Sequence, residues 1–164
     1  MAALIAAIIA ATVATFGYVI TARAKLLEDK RRTFAAALGK VLDYQELPHR
    51  IRRRADSEAA TRGALGTLIT DLQRDMDHYH MLLLIDSEKM GRAYFALVRK
   101  SQEKGKKYRD QAWQALPATS DEKMSYPELY KVDDDVQRTL CLELMRKQLV
   151  LLPWRQLLPP AWKQ

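Results

Sequence analysis

The chain opens on 21 uncharged positions, AALIAAIIAATVATFGYVITA, from Ala2 to Ala22. As an α-helix such a run spans about 31 Å, the thickness of a bilayer's hydrocarbon core. It is apolar on every face, whereas a helix of a soluble domain carries one apolar stripe. The pattern therefore predicts a single transmembrane anchor over residues 1–22. The rival reading is a cleaved signal peptide, which calls for basic residues ahead of a shorter apolar core and a small-residue cleavage site. Thr12-Val13-Ala14 offers such a site, but the basic residues (Arg23, Lys25, Lys30, Arg31, Arg32) follow the run rather than precede it.

Beyond the anchor the period changes. No helix breaker precedes Pro48, and Leu27, Phe34, Leu38 and Val41 fall on one face, so the spacing predicts one helix from Ala3 to about Leu47. Pro48 is expected to end it, with His49 to Arg54 as the connection and Asp56 or Ser57 as the next N-cap. In the second helix Leu65, Ile69, Leu72, Met76, Tyr79 and Leu83 recur at alternating steps of four and three, the spacing of a coiled-coil seam. Asp86 and Ser87 can cap a third helix carrying Met90, Tyr94 and Leu97, closed by Pro117. After an acidic loop, Asp133, Asp134 and Asp135 stand where negative charge favours a helix start, and Val136, Leu140, Leu144 and Leu151 supply an apolar face. No alternating β-branched run occurs. The expectation is an all-α protein: the anchor, an antiparallel helical bundle with coiled-coil-like packing over residues 23–152, and a Pro/Trp-rich tail over residues 153–164.

Composition narrows the function classes. With 48% hydrophobic residues the chain is no disordered tail, and with 29% charged residues it is no polytopic membrane protein. The single cysteine, Cys141, excludes an internal disulfide framework and a cysteine-based zinc site. Positive residues stay on the cytoplasmic side of a span. Only the α-amino group precedes this one, so the amino terminus is expected outside and the bundle in the cytoplasm. Ala6, Ala10 and Ala14 form a ridge of small residues inside the span, a pattern that lets membrane helices approach closely. The alternative is that alanine is merely apolar filler.

The net charge of +7 points to anionic partners. The densest patch is Arg50, Arg52, Arg53 and Arg54, and a second runs over residues 99–109. Either can meet nucleic-acid phosphates, anionic lipid, an acidic protein or nothing but water. Asp71, Asp75 and His78 share a helix face at a spacing that can hold a divalent metal, but Arg74 beside them favours a plain surface, and no metal or cofactor is expected. Neither a Gly-rich phosphate loop nor a nucleophile elbow is present, and Cys141 lies among leucines, so the chain is not expected to be an enzyme. In the tail, Trp154 and Trp162 among leucines and prolines suit packing on the bundle, a partner's groove or the membrane surface.

The layout of an uncharged span followed by KLLEDKRRTFAAALGKVLDYQELPHRIRRR resembles small single-pass membrane proteins of unknown function from actinobacteria and their phages. The resemblance covers roughly residues 1–85 and is most specific over Tyr44 to Arg54. It implies a bacterial inner membrane and a prophage or anti-phage defence setting, and it carries no catalytic residue. Two function classes follow. One is a membrane-anchored helical interaction protein, a homo-oligomer or a subunit of a membrane-associated complex. The other is a membrane-tethered nucleic-acid binder using the two basic patches.

Overall fold

The computed structural model describes residues 1–117, 130 and 132–150. Among them there is no strand. Among the described residues five helices follow in chain order: α1 (Ala2–Gln45), α2 (Leu47–Arg52), α3 (Ala59–Asp86), α4 (Glu88–Gln114) and α5 (Asp135–Gln148). Their contacts divide the chain into two units, residues 1–34 with 146–164, and residues 35–145.

In the first unit the described side chains of α1 are exposed as far as Thr21. The helix is long and apolar enough to cross a membrane, and none of its most apolar window is buried within the protein. Two of its threonines fold their hydroxyls back onto the helix. Thr15 donates to the carbonyl of Ala11 at 2.8 Å and Thr21 to that of Gly17 at 2.9 Å. Such back-bonding satisfies each of these two hydroxyl protons within the helix itself. The next turns become polar, with Arg32 paired to Glu28 at 3.3 Å.

The second unit is built around α4. Its buried face is Met90, Ala93, Tyr94, Leu97, Val98, Ser101, Gly105 and Ala112, a stripe at helical spacing. Val41 and Tyr44 of α1, Leu47 and Ile51 of α2, and Leu72, Met76 and Leu83 of α3 complete most of the core. The join between α3 and α4 is one residue. Ser87 is both the C-cap of α3 and the N-cap of α4, its hydroxyl accepting from the Met90 amide at 3.4 Å. Close by, the two backbones touch: a Cβ on Gly91 would lie 2.6 Å from the Cα of Leu84. Further out His80 stacks on Phe95 at 4.8 Å, and Arg62 lies over the Trp113 ring at 5.8 Å.

Four expectations change. Pro48 does not end the helical run at a loop. It occupies the first turn of α2, so His49 to Arg52 of the connection are helical. Proline lacks only a donor that a first turn leaves unused, so it can begin a helix as readily as end one. The N-cap of α3 is Glu58 rather than Asp56 or Ser57; Asp56 instead accepts the Glu58 amide at 3.0 Å in the preceding turn. Of the six-residue seam, Leu72, Met76 and Leu83 are buried while Leu65, Ile69 and Tyr79 are half-buried. Finally, α5 is rotated from its expected face. Val136 is 76% exposed and Leu140 49%, Leu144 is half-buried, and the residues turned inward are Cys141 and Met145. Leu151 lies outside the described residues.

Candidate functional site

The basic turn illustrates how differently four neighbouring arginines can be used. Leu47, Pro48 and Ile51 bury one side of α2, which packs on α4 and sets the direction of the residues after it. Arg54 is thereby carried inward and is only 6% exposed. Its guanidinium donates to the carbonyl oxygens of Ile51 (2.9 Å), Ala112 (3.1 Å) and Ala115 (2.8 Å), with longer bonds to Trp113 and the Ser57 hydroxyl. Three of these carbonyls belong to the end of α4, where a helix leaves acceptors without donors and carries partial negative charge. The Trp113 ring, 5.4 Å from the guanidinium carbon, covers another side. Arg54 is thus a capping residue for α4. It is not part of an open phosphate-binding surface.

Its neighbours are committed in turn. Arg52 donates to the carbonyl of Leu116, Arg53 pairs with Glu46, and Arg50 pairs with Asp43 at 3.4 Å. Arg50 and Arg53 remain exposed, but each already has a carboxylate beside it. In the second basic stretch Arg99 pairs with Glu103 at 3.5 Å, whereas Lys104, Lys106 and Lys107 lie exposed.

A second polar centre joins α1, α4 and α5. Asp134 is 1% exposed and Ser101 fully buried. Gln45 donates to Ser101 Oγ at 2.8 Å and to Asp134 Oδ2 at 2.7 Å, while Arg138 donates to Asp134 Oδ1 at 2.7 Å. Among the described residues no buried side-chain polar atom lacks a partner. A buried carboxylate tolerates its loss of water only when charge and hydrogen bonds are both supplied, as they are here. These bonds orient α5, so that Cys141 and Met145 follow Asp134 to the inside. Beside this network opens a cleft of about 370 Å³, lined by Leu42, Glu46, His49, Tyr130 and Asp135 among others. The His49 and Tyr130 rings meet edge to face at 5.1 Å.

Tyrosines fasten α4 to α1. The Tyr94 hydroxyl donates to the Ala37 carbonyl at 3.1 Å, and the Tyr44 hydroxyl accepts from Arg109 at 2.6 Å. Burial pushes both phenol pKa values upward, Tyr44 against the opposing effect of Arg109. Burial likewise pushes the Cys141 thiol up to about 11, so it stays protonated near neutrality.

The remaining predicted residues are placed as follows. Ala6, Ala10 and Ala14 are exposed along the apolar part of α1. Asp71 and Asp75 do not converge with His78 on a common point. Asp71 pairs with Arg74 and Asp75 with Lys40, each at 2.9 Å, and no group of metal-ligating residues occurs among the described residues. The Lys40 contact holds the Asp75 carboxyl below its ordinary range and raises the lysine. Trp154 and Trp162 lie outside the described residues. Sequence reasoning missed the capping role of Arg54 and the Gln45–Ser101–Asp134–Arg138 network. The capping role depends on where the end of α4 arrives in space, which no local pattern carries. No family model, curated protein or solved structure matches the chain.

Proposed function

We propose that this chain is a single-pass membrane-anchored helical interaction protein, acting as a homo-oligomer or as a subunit of a membrane-associated complex. The observation that carries the reading is the apolar part of α1: its most apolar window is wholly unburied within the chain, so its apolar surface needs a medium or a partner outside it. A bilayer is that medium. Arg23, Lys25 and the Lys30–Arg32 cluster, all after the span, favour an external amino terminus and a cytoplasmic domain in a bacterial cell membrane. A prophage or anti-phage setting belongs to the same proposal and rests on the resemblance alone.

The proposal includes an antiparallel arrangement of α3 and α4 with seam-like packing. It is supported by the one-residue join at Ser87 and by contacts that pair Leu84 with Gly91, His80 with Phe95 and Arg62 with Trp113. The alternative of a tethered nucleic-acid binder draws less support. Arg54 is buried, and Arg50 and Arg53 already face carboxylates, which leaves the exposed lysines of residues 104–107 as its main footing.

Association is tested at the alanine ridge. Leu at Ala6, Ala10 and Ala14 together keeps the segment apolar, so insertion survives, but adds bulk where helices would approach. In mild detergent, light scattering is expected to give a smaller protein mass for the triple variant than for the wild type. An unchanged mass with the same co-purifying proteins overturns association through this ridge.

A further inference from the structure

The last helix ends beside the first. Lys30 Nζ donates to Gln148 Oε1 at 3.5 Å, and both residues belong to the unit of residues 1–34 and 146–164. The Leu149 amide then donates to the Arg146 carbonyl at 3.2 Å, closing α5 in a turn. Along α1, Lys30 stands about 12 Å of helix beyond the apolar run that closes at Ala22. The chain after α5 thus departs from a point close to the end of that run. Residues 151–164 lie outside the described residues. Their sequence is a tandem repeat. LLPWRQ (Leu151 to Gln156) and LLPPAWKQ (Leu157 to Gln164) share a leucine pair, a proline, a tryptophan, a cation and a glutamine in the same order. Trp154 precedes Arg155, Trp162 precedes Lys163, and neither copy contains an acid.

We infer that residues 151–164 form an interfacial membrane contact, with the two Trp–cation pairs at headgroup level beside the end of the span. The inference rests on the reading of the amino-terminal helix as a membrane span. An indole next to a cation suits the membrane–water boundary, where the ring is buried to its polar edge and the charge meets phosphate. Pro153, Pro159 and Pro160 break helical hydrogen bonding, so the segment is unsuited to the hydrocarbon core, whereas the boundary supplies water to its backbone. Three observations favour lipid over a protein groove. The exit beside Lys30 keeps the segment near any bilayer that holds the span, since 14 extended residues reach about 45 Å. The Lys30–Arg32 cluster of α1 and Arg146 and Lys147 of α5 stand in the same unit, so an anionic headgroup layer attracts the exit and the tail together. Finally, a repeated Trp–cation pair can meet a lipid surface in any register, whereas a groove selects one.

The test uses the full-length protein in vesicles of phosphatidylcholine and phosphatidylglycerol whose acyl chains carry bromine either near the headgroup or at the chain ends. The chain has three tryptophans, so Trp154→Phe with Trp162→Phe leaves Trp113 alone as background. The emission lost between the wild type and this double variant belongs to the tail. Bromine near the headgroup should cut that emission about twofold and bromine at the chain ends far less, as for rings about 5–10 Å deep. Tail emission that neither lipid quenches overturns the contact, and a blue shift in that case places the indoles on protein. Stronger quenching by chain-end bromine means insertion into the core and overturns it too. Val13→Trp in the double-variant background reports the span separately. If Val13→Trp is quenched by chain-end bromine while the tail is not quenched, the span reading stands and the tail contact fails. If neither lipid quenches Val13→Trp, the span reading is overturned, and the tail contact with it.

Discussion

Arg54 shows how much one residue can do without touching a ligand. Its guanidinium satisfies the carbonyls at the end of α4 while the aromatic face of Trp113 shields it. Replacing it with Met keeps the bulk and deletes the donors, stranding those acceptors, at an expected cost on the order of 3 kcal/mol. Arg54→Lys should recover little, because an ammonium lacks the planar fork that reaches several carbonyls at once. Arg50→Ala, in the same patch but exposed, should shift the denaturation midpoint hardly at all. Chemical denaturation of the three variants in detergent checks the contrast. Cys141 makes a second residue-scale test. Its thiol ionises at about 11 in the folded chain against 9.0 ordinarily, so the folded state holds the proton more tightly. Stability from this group is intact below pH 9 and lost as pH climbs to 11, by roughly 3 kcal/mol. Tyr44 and Lys40, also raised, steepen the decline above pH 10. Denaturation midpoints at pH 7, 9 and 11 should fall in that order, and Cys141→Ala should remove the portion that begins at pH 9.

At the scale of elements, α5 carries the clearest prediction. Val136→Glu and Leu140→Glu should each leave stability within about 0.5 kcal/mol, since both side chains already face water. Met145→Glu puts a carboxylate in an apolar site with no designed partner, and unfolding of the domain is expected. Circular dichroism melts separate the two outcomes, and the opposite ranking would place the aliphatic row inward. This helix also shows where sequence legibility ends. The aliphatic residues Val136, Leu140 and Leu144 suggest one face, but the buried Asp134, held by Gln45 and Arg138, selects another, and a softer pair, Cys141 and Met145, fills the core. Counting aliphatic residues cannot anticipate a buried carboxylate whose partners come from other helices. Elements governed by local chemistry were legible: the length of α1, the cap at Ser87, and the end of α4 ahead of Pro117. Pro48 was ambiguous by nature, because the same missing donor suits the end of one helix and the start of the next.

At the scale of the molecule, the chain combines an apolar helical segment that it does not bury with a domain whose buried side-chain polar atoms, among the described residues, all have partners. That pairing is why the proposed role is anchorage and association, and why the charge of +7 is weighed chiefly through where its residues sit relative to the span. The most direct test is cysteine accessibility in intact bacteria expressing the full chain, with one cysteine introduced at position 2 or at position 59. A membrane-impermeant maleimide should label Ala2→Cys from outside, and Ala59→Cys only after the membrane is opened. Labelling of Ala59→Cys in intact cells, or recovery of a mature protein lacking the apolar run, would contradict the account.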